Sequence, residues 1–144
     1  MENKTFYLLS VAFFFLSSIS FSQDLTCKDF QEGVFYGYSQ DLGGLKWIII
    51  RNGNNQTEKT IDAPEIEGVD MEESLHEIIE WIDDCSYNLK YNPKFGLSIY
   101  QKFINDSGGA ISKIVNIEGN CYTYISVVSY DGMEETSEGK ICKE

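Results

Sequence analysis

Short stretches in which apolar and polar residues alternate cover most of the chain after residue 30, and turn-forming residues separate them. These stretches are rich in β-branched and aromatic residues, which favour strands. The predicted strands are residues 33–39, 46–51, 97–104, 111–117, 121–129 and 136–142. Turn signals lie at Asn52-Gly53-Asn54-Asn55, Asn105 to Gly109, Glu118-Gly119-Asn120 and Tyr130-Asp131-Gly132. The pattern predicts a mainly β fold: an antiparallel meander that forms a small barrel, a half-barrel or a sandwich, with at most one short helix.

Residues 71–92 fit two patterns. A helix is favoured by the i, i+3, i+4, i+7 spacing of Leu75, Ile78, Ile79 and Ile82. The same residues also fit a strand, and the frequent β-branched and aromatic side chains favour a strand over residues 75–82. From Cys85 onward the alternation predicts a strand. A turn near Asp83-Asp84 would then bring Trp81 and Tyr87 into the same core.

The N-terminus has the parts of a secretory signal. Lys4 supplies the positive charge, residues 6–16 are the apolar core, and Ser20-Phe21-Ser22 places small residues two apart. We therefore expect residues 1–22 to be a cleaved signal peptide and residues 23–144 to form a single domain, exported to the periplasm or the extracellular space. An uncleaved anchor would need a longer apolar core, and a lipoprotein signal would need small residues before Cys27. No other stretch is long and apolar enough to cross a membrane, so we expect no stable span after cleavage.

The charge of the chain narrows the choice of partners. Acidic residues outnumber basic ones by 23 to 11, which gives a formal net charge of −12. Predicted cleavage removes one residue of each sign, Glu2 and Lys4, and so leaves this charge unchanged. A charge of this size repels phosphate backbones and anionic lipid. We therefore expect no nucleic acid partner.

Four cysteines follow the predicted signal: Cys27, Cys85, Cys121 and Cys142. In a small exported domain, an even number of cysteines predicts two disulfides. Three pairings are possible. The combination of Cys27–Cys85 with Cys121–Cys142 is preferred, because the second pair brackets a predicted hairpin. A zinc site is not expected, because the chain has no Cys-x-x-Cys sequence and its one histidine is not near a cysteine pair.

The candidate catalytic residues do not form a complete set. His76 is the only histidine, and the His76-Glu77-Ile78-Ile79-Glu80 segment lacks the second histidine of a zinc protease helix. Adjacent acidic residues such as Asp83-Asp84 point to opposite faces of a strand. Because the strand neighbours of Asp83 should be buried, its carboxylate needs a partner, and Arg51 is the candidate for a buried ion pair or a ligand contact. We predict no catalytic residue, no metal and no cofactor.

Several motifs in residues 27–91 are shared with a known group of proteins. They are Cys27-Lys28-Asp29-Phe30, Gly33-Val34-Phe35, an isolated Arg51 followed by Gln56 and Glu58, and the Trp-x-x-x-Cys-x-Tyr-x-Leu element from Trp81 to Leu89. With these motifs the chain resembles small exported proteins of the Bacteroidota type, which look lipocalin-like. The resemblance implies an N-terminal Gly-x-aromatic strand followed by a β-meander, and it implies no activity. The chain departs from true lipocalins in having Phe35 where they have tryptophan, and in its second pair of cysteines.

These features favour a non-enzymatic exported domain that binds a small apolar ligand or an envelope partner. Tyrosines can line a ligand cleft or pack as ordinary strand residues; the candidates are Tyr36, Tyr38, Tyr87, Tyr91, Tyr100, Tyr122, Tyr124 and Tyr130. One alternative is a structural envelope protein without a small ligand, which predicts a filled core and strand edges available for pairing. Another is a hydrolase built from Asp and Glu, which requires two carboxyls about 5–10 Å apart in a concave site.

Overall fold

Eight antiparallel strands in chain order form a closed barrel in a computed structural model, which describes residues 24–39, 45–61 and 74–144. The strands are β1 (Gly33–Ser39), β2 (Leu45–Asn52), β3 (Asn55–Ile61), β4 (Leu75–Trp81), β5 (Ser86–Tyr91), β6 (Ala110–Glu118), β7 (Cys121–Tyr130) and β8 (Met133–Lys143). The described residues also form two 3₁₀ helices, Cys27–Phe30 and Pro93–Phe95, and one α-helix, α1 (Ile99–Asp106). The predicted small β-barrel with at most one short helix is confirmed.

The two ends of the barrel differ in their connections. At the closed end, short turns join β2 to β3, β4 to β5 and β6 to β7, and the first 3₁₀ helix packs its Phe30 into the barrel. At the open end, residues 92–109 join β5 to β6 and carry both the second 3₁₀ helix and α1. Residues 40–44 and 62–73 lie outside the described residues. The longest described connection is therefore at the open end.

The tight hairpins follow from residues that accept positive φ angles. Asn52 pairs with Asn55 across a two-residue turn in which Gly53 has φ 57°. Between β7 and β8, Asp131 (φ 48°) and Gly132 (φ 77°) are both left-handed, as a type I′ turn requires. Because the turns fix the register, each hairpin also determines which side chains face the interior. The predicted turns at these positions are confirmed.

The closed half of the barrel holds an apolar core. Its fully or almost fully buried residues are Phe30, Phe35, Ile49, Ile79, Tyr87, Ile114, Tyr122 and Ile141. The ring of Phe30 meets that of Tyr122 edge-on at 4.8 Å, so the first 3₁₀ helix closes this end with an aromatic contact. Trp81 and Tyr87 face the same core, as predicted, and their ring centroids are 4.8 Å apart. Position 37 requires glycine, because a Cβ atom there would clash with the indole of Trp47.

Two disulfides join Cys27 to Cys85 and Cys121 to Cys142. These are the pairings preferred from the sequence. The first ties the N-terminal 3₁₀ helix to the end of the β4–β5 turn, and the second links paired residues of β7 and β8. Two disulfides indicate an oxidising location outside the cytoplasm.

Two expectations about export concern the membrane and the N-terminus. Among the described residues, no helix has the length and apolar character needed to cross a membrane. The predicted signal peptide, residues 1–22, lies outside the described residues.

The strand predicted over residues 97–104 is wrong, because the chain forms α1 there. Ser98 begins the helix with a capping box: its hydroxyl accepts a hydrogen bond from the Gln101 amide, and the Gln101 side chain accepts one from the Ser98 amide. Ile104 is buried, whereas Ile99 is 92% exposed. The alternation read from the sequence therefore does not reflect an inward face. By contrast, the strand favoured over residues 75–82 is confirmed as β4.

Candidate ligand site at the open end of the barrel

Arg51 organises the polar part of the closed half. It is only 2% exposed, and its guanidinium donates hydrogen bonds to Gln56 Oε1 (2.7 Å), the Phe30 carbonyl (2.8 Å) and the hydroxyls of Tyr122 (2.9 Å) and Tyr87 (3.3 Å). The Arg51 Cζ atom also lies 4.9 Å from the centroid of the Tyr87 ring. A buried arginine with this many donors in use holds the 3₁₀ helix, β3, β5 and β7 together. It is a structural centre and does not line the cavity described below.

The ion pair proposed between Arg51 and Asp83 is not formed. β4 ends at Trp81, so Asp83 lies in the exposed β4–β5 turn, not on the inward face of a strand. Its carboxylate accepts a hydrogen bond from the Cys85 amide at 2.7 Å, and this bond lowers the pKa of Asp83. The prediction failed because it extended the strand alternation of β4 two residues too far. Arg51 is buried as expected, but its partners are neutral.

Two glutamates lie inside the barrel next to this network. Glu58 on β3 and Glu77 on β4, here called the acid pair, both accept hydrogen bonds from the side-chain amide of Gln56, at 2.7 Å and 2.8 Å. Gln56 pairs with Glu77 across the two strands, and Glu58 pairs with Leu75. Glu77 is only 8% exposed. A chain of hydrogen bonds therefore runs from the Arg51 guanidinium through one amide to two carboxyl groups.

Burial determines the protonation of the acid pair. Burial raises the pKa of Glu77 to about 8, and the negative charge of Glu58 adds to this effect. Burial also raises the pKa of Glu58, while the positive charge of Arg51 works in the opposite direction. Two carboxylates this close resist ionising together. At neutral pH the pair therefore retains a proton.

Tyrosines on β5 and β7 surround the acid pair. Tyr91 pairs with Glu77 across β4 and β5, and burial followed by the charge of Glu77 raises its pKa to about 12. Burial also raises the pKa of Tyr124. Both hydroxyls are thus neutral over the physiological range. The interior above the apolar core is a polar layer of amide, carboxyl and phenol groups.

A cavity of about 370 Å³ lies at the open end. The described residues that line it are Ser74, Leu75, His76, Tyr91, Asn92, Phe95, Gly96, Leu97, Ser98 and Gln101. Leu75 and Tyr91 are the cross-strand partners of the two members of the acid pair, so the cavity adjoins the polar layer. The rings of His76 and Phe95 stack with centroids 3.8 Å apart and form another part of the wall. None of the described lining residues is acidic.

The α1 helix is held against β5 by an asparagine that takes the place of a strand. β6 pairs with β5 only as far as Leu89, which leaves the backbone of Tyr91 without a β6 partner. The side chain of Asn105 accepts a hydrogen bond from the Tyr91 amide and donates one to the Tyr91 carbonyl, both at 2.8 Å. This two-point contact copies the backbone pairing of an antiparallel ladder. It fixes α1 beside the cavity.

The sequence identified only part of this site. Gln56 and Glu58 appeared there only as part of a resemblance, and Glu77 as a member of an incomplete metal motif. The signal that could have found them is the register of the Asn52–Asn55 hairpin, which places Gln56 opposite Arg51 and hence on the same face. Of the tyrosines, Tyr91 lines the cavity, Tyr87 and Tyr122 belong to the core, and Tyr38 and Tyr100 are exposed.

Comparison of the chain with protein-family models, with curated proteins and with solved structures found no match. The resemblance to the lipocalin-like exported proteins therefore remains a prediction. Within the described residues, no group of three or more His, Cys, Asp or Glu side chains is placed to hold a metal ion.

Proposed function

We propose that this chain is an exported binding protein of lipocalin-like architecture, which holds a small molecule with apolar and polar parts at the open end of its barrel. The observation that carries the proposal is the cavity between β4, β5 and the α1 segment. Its volume of about 370 Å³ falls within the range of about 300–1,000 Å³ that small-molecule sites occupy. Export is supported by the N-terminal signal pattern and by the two disulfides.

The lining of the cavity indicates the chemistry of the ligand. Leu75, Phe95 and Leu97 offer apolar contacts, and the hydrogen-bonding groups come from Ser74, His76, Tyr91, Asn92, Ser98 and Gln101. A site of this mixed composition suits a molecule with an apolar part and several polar atoms. The phenol of Tyr91 is amphipathic and lies where the cavity meets the interior of the barrel.

The two alternatives have less support from the geometry. A structural protein that pairs through its strand edges needs a free edge, but each described strand has a neighbour on both sides because β1 pairs with β8. A hydrolase needs two carboxyls facing a concave site. Glu58 and Glu77 do approach each other, but both accept hydrogen bonds from Gln56 and neither is among the described residues that line the cavity.

The proposal is tested by filling the cavity with a bulkier side chain. We expect the wild-type protein to bind the neutral apolar dye N-phenyl-1-naphthylamine with an increase in its fluorescence. Leu97→Trp places an indole in the cavity and should weaken binding at least tenfold. Ile99→Trp is the matched control, because it adds the same ring two residues away at a side chain that is 92% exposed, and it should bind like the wild type.

Native mass spectrometry of the exported protein is the second measurement. It reports any molecule that co-purifies, and the mass also shows whether residues 1–22 have been removed. Dye binding that is equal in both tryptophan variants would place the site elsewhere. A wild-type protein that binds no apolar dye and carries no co-purified molecule would contradict the proposed function.

A further inference from the structure

We propose that the acid pair, Glu58 and Glu77, is a pH-sensitive latch between the paired strands β3 and β4, here called the β3–β4 seam. While the pair holds a proton, the latch keeps the ligand cavity formed. When both carboxyls are ionised, ligand binding weakens. This inference rests on the proposed function, since it assigns a regulation to the same cavity. It is carried by the positions of the two carboxyl groups in the barrel.

The acid pair lies at the open-end limit of the β3–β4 ladder that the structure describes. β3 and β4 share four paired positions, and the pair nearest the open end is Glu58 with Leu75. β3 continues to Ile61 against β2, but its residues after Glu58 have no described partner on β4. Glu77 lies on the same inward face, opposite Gln56. The two carboxyls thus face each other diagonally across the last two inward-facing positions of the seam within the described residues.

One amide bridges this end of the seam. Gln56 Nε2 donates hydrogen bonds to both Glu58 Oε1 and Glu77 Oε2, and Gln56 Oε1 accepts one from the guanidinium of Arg51. A proton held between the carboxyls adds a further attraction across the seam. Without that proton, two like charges lie on neighbouring strands in a buried site, which drives the strands apart.

Few charges can relieve this repulsion. From β2, the guanidinium of Arg51 favours the ionised carboxyls, but it reaches the pair only through Gln56. From β5 and β7, Tyr91 and Tyr124 present phenols that stay neutral, because burial and the neighbouring glutamates raise their pKa values. Among the described groups acting on the acid pair, Arg51 is the only cation.

Movement of the seam would reach the cavity directly. The residue paired with Glu58 is Leu75, and the residue paired with Glu77 on the other side of β4 is Tyr91; both line the cavity. His76, between Leu75 and Glu77 on β4, contacts Thr57 of β3 on one side and stacks on Phe95 on the other. A shift of β4 away from β3 therefore displaces three parts of the cavity wall together.

The sign of the pH effect follows from the protons held in each state. In the unfolded chain Glu77 loses its proton near the ordinary value of 4.5, whereas in the folded barrel it keeps the proton up to about pH 8. Between these values the folded state holds more protons than the unfolded state, so stability falls as pH rises. Above about pH 8 this group contributes no further change.

The experiment measures dye affinity and chemical denaturation together from pH 5.5 to pH 9. The probe is N-phenyl-1-naphthylamine, which is uncharged over this range. We expect wild-type affinity to fall about tenfold from pH 6 to pH 9 and the urea midpoint to fall over the same range. Glu77→Gln keeps the hydrogen bonds but removes the ionisation, so both quantities should stay level and the variant should exceed the wild type in stability at pH 9. Glu80→Gln changes an exposed residue of the same strand and should follow the wild type.

Each other outcome has a definite meaning. If the wild type binds the dye equally well at pH 6 and pH 9, or more tightly at pH 9, the latch is wrong and the proposed function stands. If Glu77→Gln retains the full pH dependence of the wild type, the acid pair is not its source. If the wild type binds no dye at any pH and carries no co-purified molecule, the proposed function fails and the inference fails with it. Should Glu77→Gln not fold, Glu58→Gln removes the other member of the pair and must also level the pH dependence.

Discussion

Arg51 shows how one buried side chain can join several elements of a small barrel. Its donors reach the Phe30 carbonyl, Gln56, Tyr87 and Tyr122, which belong to four different elements. The residues that carry these acceptors are buried, so water cannot replace the guanidinium as a hydrogen-bond donor if Arg51 is removed. The network therefore couples the N-terminal 3₁₀ helix to the interior.

We expect Arg51→Met to lower the free energy of unfolding by about 3–5 kcal/mol, because the apolar replacement fills the space but leaves several buried acceptors unsatisfied. Arg51→Lys should recover only part of this loss, since an ammonium on a flexible stem cannot reach the same acceptors in a fixed planar arrangement. Equilibrium urea denaturation measures both. Lys28→Met removes an exposed cation that pairs with Asp84 at 3.3 Å, and it should cost less than about 1 kcal/mol. Equal losses in Arg51→Met and Lys28→Met would contradict this role.

At the scale of elements, α1 is attached to β5 by the side chain of Asn105, which bonds to backbone groups of Tyr91 that a neighbouring strand would otherwise pair with. Asn105→Ala removes both hydrogen bonds to the Tyr91 backbone, so α1 should detach from β5 while the barrel remains folded. We expect a loss of about 1–2 kcal/mol, together with faster hydrogen exchange at the Tyr91 amide and across residues 99–106. Asn116→Ala, which removes an exposed contact to Glu118, is the control and should leave exchange in α1 unchanged. If exchange in α1 is also unchanged in Asn105→Ala, other contacts hold the helix.

The elements also show what sequence pattern can and cannot predict. The hairpins at Gly53 and Gly132 were predictable because turn chemistry and strand alternation are both local. Residues 97–104 were assigned the wrong structure because an apolar residue at every second position also fits part of a short helix with an apolar outer face. The evidence for the helix was local as well: Ser98 followed three residues later by Gln101 is a capping signature.

At the scale of the whole molecule, closure of the barrel and the position of the cavity depend on distant residues. Tyr36 of β1 pairs with Cys142 of β8, and no local pattern specifies that contact. The cavity combines the start of β4, the end of β5 and the segment before and within α1. The sequence therefore allowed a small barrel to be predicted among three architectures, and it identified Arg51 as buried, but it did not indicate that Glu58 and Glu77 meet.

The two disulfides constrain the molecule unequally, and this difference can be measured. Cys27–Cys85 spans 58 positions of sequence and ties the first 3₁₀ helix to the barrel, whereas Cys121–Cys142 spans 21 and links strands that already pair along their whole length. In the chain-entropy model the longer loop contributes about 4 kcal/mol and the shorter one about 3 kcal/mol.

We expect the Cys27→Ala/Cys85→Ala variant to lose more stability than Cys121→Ala/Cys142→Ala. It should also lose exchange protection in residues 27–30 before global unfolding, because noncovalent contacts, such as those of Phe30 with the core and with Arg51, must then hold the helix in place without a covalent link. The second variant should unfold in a single transition with that helix still protected. Equal protection of residues 27–30 in both variants would show that noncovalent contacts alone close this end of the barrel.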